Sequence, residues 1–575
     1  MSTKYNRRSA LARAVQAVCC RKFLSRPQRR GLGETMTVEV LERRLLLAFD
    51  PYQIRNAYGL NDPIITEGNQ GRTGLLGAGQ TIAIVVAFND PQILQHVNEF
   101  NDAYGLYDFN GGTGTPTLTV YDQNGRTGLE ANLPATDPTW LSEEDADVEW
   151  AHVSAPMANI DVVEANSDRV VFHDLPVAIA SASKLSGVSV VSISIGNKGA
   201  LDDSLFETPG ITYVASSGDN GSYPLSVSPA ENAFDALNPA ASPYVLAVGG
   251  TDLGPSAALS SQVAWPQSGG GYGAVTVNSN EFYQDALRMS SSGAVQTGPA
   301  QKSNYNLIET NRAVPDVAWQ AGFVWEYDSM TDPEKSPYEG TSVAAPMWAG
   351  LIADIDARLA QSDLGMSPLS GYAPGGHIPA NDQALPLLYT IAQKYPGAFN
   401  DVTQGTGAGY PLNSSANYPL GFDLVTGLGS PNPQKLVDDI AAYEKSFIHV
   451  DASATGTDTG LTWADAYPTL QQGLAAAVPG DTIEVAPGTY YTTQDATDPT
   501  ATFQLEDGVT LEATGGPNNS TLPAILSGDG ISYHVVTASG TDKTAVIDGF
   551  TITGGGNADV LGRIGFGRIP CAMAA

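Results

Sequence analysis

The chain has 575 residues, 42% of them hydrophobic, which is too long for one ordinary core and implies two or three domains. Its formal net charge is −33; residues 1–45 hold eleven Lys/Arg against three Asp/Glu, a net +8, and −33 less +8 leaves −41 on the remainder, which repels phosphate and excludes nucleic acid as a partner. The three cysteines, Cys19, Cys20 and Cys571, leave the interior without a disulfide framework or a cysteine zinc site, and no run approaches the roughly 18 apolar residues of a transmembrane span.

In chain order, residues 1–30 are basic, and the short apolar run 9–20 is interrupted by Arg13, a poor standard signal peptide. Val40-Leu41-Glu42-Arg43-Arg44-Leu45-Leu46-Leu47-Ala48 resembles the Leu-Glu-x-Arg-x-Leu-Leu segment near the start of many large exported proteins of planctomycete type. That resemblance implies an export leader over residues 1–48 and a secreted or cell-surface protein. On charge alone the same stretch reads as a disordered basic tail.

From Asp50 the pattern changes. Thr81–Ala87 is a continuous apolar run after a Gly-Ala-Gly turn, and runs 159–164, 188–195, 211–215 and 244–248 are similar. Helical and polar segments separate them. Buried strands alternating with helices predict a parallel sheet covered on both faces, with functional groups at the strand C-terminal ends.

Thr136-Asp137-Pro138 predicts a helix start, with a capping residue and proline at the first helical position. The helix carries Glu143, Glu144, Asp145, Asp147 and Glu149. Residues four apart share a face, so Glu143/Asp147 and Asp145/Glu149 are equally good carboxylate pairs by spacing. Trp140 and Trp150 flank the first pair and would shelter it. Two sheltered carboxylates share a proton, which suits general acid–base work; a solvated acidic face is the plainer reading.

Ser217-Gly218-Asp219 follows the strand 211–215 in a glycine-rich turn, where Asp is commonly a turn residue. Farther on, Gly340-Thr341-Ser342 leads into the small, apolar run 343–350. Ser342 then falls at or near a first helical turn, where free N–H groups and the helix dipole favour an oxyanion. The plainer reading is a serine N-cap on a core helix. Ala344, Ala345, Ala349 and Gly350 would let that helix pack closely.

Gly-Thr-Ser-x-x-x-Pro resembles the nucleophile motif common to subtilisins and sedolisins, the serine-carboxyl peptidases. A subtilisin would need a carboxylate near Val86 and a His-Gly-Thr-His motif. Neither is present, and the six histidines are scattered. The ordered set Glu143-x-x-x-Asp147, Ser217-Gly218-Asp219 and Gly340-Thr341-Ser342 resembles the sedolisins over roughly residues 50–440. The resemblance implies Ser342 as nucleophile, Glu143 as base, Asp147 as its hydrogen-bonded partner and Asp219 as a protonated oxyanion acid. It implies endopeptidase activity on protein or peptide substrates at acidic pH. It also implies one Ca2+ ion, held by the side chains of Asp401 and Asp423 and the carbonyls of Val402, Pro419 and Gly421. Departures are Glu339, where serine usually precedes Gly-Thr-Ser, Pro419, where glycine is usual, and the short stretch before the domain in place of a long propeptide.

After Lys445 the composition shifts. The stretches 447–451, 479–490, 509–513 and 545–552 resemble the entry to a right-handed parallel β-helix, with Gly-rich turns between short strands. The tail from Ala558 loses the pattern, as if truncated or frame-shifted relative to a longer relative. With no acidic catalytic cluster there, the segment implies adhesion, with contact to a cell surface or polysaccharide. The expected fold class is α/β: a subtilisin-like doubly wound parallel sheet with helices on both faces (residues 49–446), then an incomplete all-β right-handed β-helix (447–575). A catalytically inactive peptidase scaffold presenting an adhesive β-helix module is the alternative from another class.

Overall fold

The computed structural model describes residues 48–575 except 61–75, 129–130, 169–173, 200, 222–235, 277–282, 285–310, 328–334, 362–363, 373–382, 408–409, 412–418, 494, 496, 519, 557–568 and 571–575. The proposed leader, apart from Ala48, and most of the irregular tail lie outside the described residues.

The first helix, α1 (Pro51–Ala57), opens on a capping box: the Asp50 carboxylate accepts from Gln53 N, and the Gln53 side chain accepts from the Asp50 N–H. The main sheet is built from β1 (Thr81–Ala87), β2 (Leu118–Asp122), β3 (Asn159–Ala165), β4 (Val188–Ile193), β5 (Thr212–Ser216), β6 (Val245–Asp252) and β7 (Val317–Gln320). Their order is β7-β6-β5-β4-β1-β3-β2, every pair parallel. Val263–Ala264 adds a short antiparallel edge against β6.

All seven residues of β1 are buried. Side chains alternate across a strand. Ile82, Ile84 and Val86 therefore enter one core, and Ala83, Val85 and Ala87 enter the other. The first core holds α2 (Ile93–Tyr104), α3 (Leu141–Ser154) and a long helix, α5 (Thr341–Leu359). The second holds α4 (Asp174–Ala182) through Leu175, Ala178, Ile179 and Ala182. The sheet is thus wound on both faces, as the continuous apolar runs predicted.

Helix α3 begins later than predicted. The Asp137 carboxylate accepts from the N–H and hydroxyl of Thr139, and Trp140 N–H closes a turn on the Asp137 carbonyl. Asp137 therefore organises a local turn, and Trp140 occupies the cap position without a side-chain bond.

Beyond residue 446 the strands are short and stack in parallel register. Ile483 pairs with Leu511, and Leu511 with Ile547. A second ladder runs from Gly488–Tyr491 to Ala524–Ser527 to Thr551–Thr553, and a third joins Phe503–Gln504 to Val536–Thr537. Ile448, Val450, Leu470, Ile483, Phe503, Leu511 and Leu526 share one core. The run 545–552 is two strands, not one: Gly549, at φ +81°, turns the chain between Val546–Asp548 and Thr551–Thr553. A Cβ there would stand 3.1 Å from Ala513 Cβ.

Candidate active site

Helix α5 starts at Thr341, with Gly340 at the cap position. Ser342 is therefore inside the first turn and is not an N-cap. A Cβ at Gly340 would stand 2.8 Å from Asp219 Oδ2 and 3.7 Å from Ser342 N. Only glycine leaves that space open, and the Asp219 carboxyl and the Ser342 amide converge on it.

Asp219 reaches this place because β5 ends at Ser216 and the turn is clamped. Gly218 takes φ +103°, Gly269 N–H donates to the Gly218 carbonyl, and Ser217 Oγ donates to the Gly269 carbonyl. Thr341 then grips the carboxyl: its N–H and its hydroxyl both donate to Asp219 Oδ1, at 2.9 and 2.7 Å. Burial raises the Asp219 pKa, and the Thr341 bonds pull against it.

Helix α3 brings Glu143 to the same place. Residues 144–154 are buried, so its acids are not a solvated face. Gly350 of α5 presses on it: a Cβ there would lie 2.5 Å from Ser154 Cβ and 2.9 Å from the Ala151 carbonyl. Ser342 lies eight residues before Gly350, and Glu143 eight before Ala151. At about 1.5 Å rise per residue, two parallel helices that touch at 350/151 also bring 342 and 143 together. The Ser342 hydroxyl in fact stands within range of the Glu143 carboxyl and lowers its pKa.

The two carboxylate pairs that spacing left equal are separated by packing. Asp145 faces His96, Nδ1 to Oδ1 3.6 Å, and Glu149 accepts the Tyr327 N–H. Glu143 lies toward Ser342, and Asp147 lies beside Glu143 and Ser194. Burial raises the Glu143 pKa; bonds from Ser342 and Tyr338 lower it, and the nearby Asp219 charge raises it. Asp147 is held well above the ordinary range by burial and by Glu143, against one bond from Ser194 Oγ at 2.7 Å. Two such groups hold one proton between them in preference to two charges.

Three participants escaped the sequence reading: Tyr338, whose hydroxyl donates to Glu143 Oε2, Ser194 beside Asp147, and Thr341 on Asp219. Ser194 and Thr341 lie inside motifs already noted, and their hydroxyls were the available signal. The tryptophans turn elsewhere: Trp150 packs on Phe100 and Trp140 on Phe88. Glu339 is half-buried, bonded to Trp265 and within range of the Asp219 charge. His152 bonds the Tyr107 carbonyl and His449 that of Gly460, while His173 and His377 lie outside the described residues.

Asp423 lies close enough to Asp401 to feel its charge. Asp423 is buried and accepts from Val425 N, Thr426 N and Thr426 Oγ1. A Cβ at Gly421 would stand 2.7 to 3.0 Å from the Asp401 carboxyl. The Pro419–Gly421 turn passes beside these acids. Two hard oxygen donors against a glycine-bared carbonyl turn fit a calcium ion chemically.

This arrangement brings the Ser342 hydroxyl, the Glu143 and Asp219 carboxyls and the first turn of α5 around one point. The subtilase family model matches residues 144–370. Kumamolisin of Bacillus sp. strain MN-32 is 28% identical over 410 residues, covering 67% of this chain and 62% of that protein. Sedolisin of Pseudomonas sp. strain 101 is 25% identical over 395 residues, 64% of this chain and 58% of that protein. Human tripeptidyl-peptidase 1 is 29% identical over 234 residues, 39% and 36% respectively. A solved Pseudomonas sedolisin complexed with two molecules of pseudo-iodotyrostatin has a TM-score of 0.49 at 21% identity, covering 69% of this chain and 98% of that chain. The chain is thus similar to kumamolisin, sedolisin and tripeptidyl-peptidase 1, and it spans less than two thirds of the length of these three curated relatives.

Proposed function

We propose that the protein is a secreted serine-carboxyl endopeptidase acting on protein or peptide substrates at acidic pH. The observation that carries this reading is the convergence of Glu143, Asp219 and the first turn of α5 on Ser342. Ser342 Oγ attacks the scissile carbonyl carbon while its proton passes to Glu143, with Asp147 alongside. The carbonyl oxygen becomes an oxyanion held by the Ser342 N–H and by a proton on Asp219 Oδ2. Collapse expels the amine, which takes the proton from Glu143 and leaves an acyl-enzyme. Water then attacks, Glu143 takes its proton, and the second collapse returns that proton to Ser342 as the acid product leaves. Only a protonated Asp219 can donate, so the reading demands acidic pH; burial, which raises its pKa, serves that demand.

The half-buried Glu339 carboxyl near Asp219 favours the rival reading, an inactive scaffold, because it adds negative charge where an oxyanion would form. Assay of the full chain on a denatured protein decides. Hydrolysis at pH 3–5 that is lost in Ser342→Ala and Glu143→Ala supports the peptidase, and none at any pH or calcium level supports the scaffold.

For calcium we infer that Asp401, Asp423 and the carbonyls of Val402, Pro419 and Gly421 hold one ion, whose charge offsets the paired acids. Chelation should lower the melting temperature of wild type but not of Asp423→Asn; indifference of wild type removes the ion. For residues 447–575 we infer a partial right-handed β-helix that contacts a cell surface or polysaccharide. The stacked parallel ladders and single apolar core support it. Failure of the full-length Ser342→Ala protein to bind washed cell envelopes or insoluble polysaccharide would contradict the adhesive role.

A further inference from the structure

A second group of acids lies at the carboxyl ends of β1 and β3, apart from the serine. Asp90 follows β1, His96 is in the first turns of α2, and Asp145 is on α3. All three are buried. His96 Nδ1 is 3.8 Å from Asp90 Oδ2 and 3.6 Å from Asp145 Oδ1, and the three donor atoms lie within 4.8 Å of one another.

We propose that Asp90, His96 and Asp145 form a binding site for a divalent transition-metal ion of the zinc, cobalt or manganese type. The donor set is one imidazole and two carboxylates, which suits these ions better than calcium, whose ligands are oxygens. With metal–ligand bonds of about 2.1 Å, tetrahedral donors stand roughly 3.4 Å apart. The two separations from His96, 3.8 and 3.6 Å, exceed that by a few tenths of an ångström, a gap small side-chain rotations close. His96 and Asp145 come from two packed helices and Asp90 from the short connection between β1 and α2, so two of the three donors are fixed by rigid elements.

An independent observation points to the same ion. Glu144 and Glu164 are also buried there, and both act electrostatically on this group: Glu144 through Glu164, Asp90 and Asp145, Glu164 through Asp90. Glu144 Oε1 and Glu164 Oε2 are buried with no hydrogen-bond partner. Their other contacts are orienting: Asn89 Nδ2 donates to Glu164 Oε1 at 2.6 Å, and the Asp90 N–H bonds Glu144. Four carboxyls buried around one imidazole are costly to charge on their own, and a divalent cation offsets that cost. The two glutamates act as an outer shell whose field favours the cation.

The consequence lies on α3. Asp145 sits between Glu143 and Asp147, so an ion on its carboxyl pins the helix that carries the base. His96 and Asp145 are positioning residues here, since neither touches Ser342.

The test uses the purified full chain, stripped of metal and titrated with Co2+ at pH 7, reading visible d–d absorption and melting temperature. One Co2+ per chain, displaced by Zn2+ and raising the melting temperature, is expected. His96→Gln and Asp145→Asn should each weaken binding at least tenfold, and Asp401→Asn, at the calcium loops, should leave it unchanged. A folded wild-type chain that shows neither absorption nor a melting shift with millimolar Co2+ overturns the site. So does Co2+ absorption that survives in His96→Gln. Either result leaves the peptidase reading untouched, because that reading is tested on Ser342 and Glu143.

Discussion

The Tyr338 hydroxyl donates a hydrogen bond to Oε2 of Glu143, the carboxyl that also meets Ser342. Tyr338 ends the strand Lys335–Tyr338, four residues before the nucleophile, so one loop supplies both the serine and a donor to its base. A donor to a carboxyl favours its charged form, and the bond opposes the rise that burial imposes on Glu143. Tyr338→Phe keeps the ring and removes the donor. The Glu143 pKa then rises, the acidic limb of the pH–rate profile moves to higher pH, and kcat falls by about tenfold, with KM little changed. An acidic limb that stays in place would show that the bond does not tune the base.

Asp219 makes the second prediction. Its Oδ1 is taken by Thr341, which leaves Oδ2 for the oxyanion. Asp219→Asn keeps the acceptor and puts a permanent N–H donor where a protonated oxygen is needed. Activity should then persist toward neutral pH. Asp219→Ala removes the donor and should cost about 100- to 1000-fold in kcat. An Asn variant that loses activity at the same pH as wild type would assign the alkaline limb to another group.

The close crossing of α3 and α5 yields the third. At Gly350 an added methyl meets the Ala151 carbonyl and Ser154 Cβ, neither of which can rotate away. Helix propensity favours alanine by about 1 kcal/mol, but overpacking against backbone costs about 1–3 kcal/mol and wins. Gly350→Ala should lower the melting temperature and, by parting Glu143 from Ser342, lower kcat with little change in KM. A melting temperature at or above wild type would mean the helices have room to spare.

Stability should fall as pH rises from about 6 through about 7. Burial pushes Asp356 up to about 7 and Asp161 up to about 6, so each keeps its proton in the folded state after the unfolded chain has lost it. Such groups stabilise below their unfolded pKa, and that contribution disappears as pH passes the folded value. His152 and His449, lowered by burial to about 3 and about 4, oppose this only up to their unfolded value near 6.5. Between about pH 4 and 6 the two histidines offset the two acids, so the net decline comes as pH rises from about 6 through about 7. Asp356→Asn should flatten it in thermal melts across this range; a melting temperature that rises toward pH 8 would contradict the sign.

The order of motifs was legible because nucleophile, oxyanion acid and carboxylate helix each sit in short, chemically distinctive text. The two-faced sheet was legible because β1 and β4 are apolar at every or nearly every position. The choice between Glu143/Asp147 and Asp145/Glu149 was not, since helical spacing is symmetric between them and only the contact at Gly350 breaks the tie. Tyr338 and His96 were illegible for a related reason: their partners, Glu143 and Asp145, are distant in sequence, and nothing local marks the pairing. The late start of α3 reflects competition, with Asp137 satisfying Thr139 in place of a helix end. In the C-terminal segment the strands were legible, but a single glycine, Gly549, was needed to fold one apolar run into two sheets.

The most direct test is the pH dependence of kcat/KM for the full chain on a denatured protein substrate, beside Ser342→Ala and Glu143→Ala. A serine woken by carboxyl groups predicts a maximum between about pH 3 and 5 and a loss of at least a thousandfold in both variants. An optimum at neutral or alkaline pH that is indifferent to Glu143→Ala would contradict it.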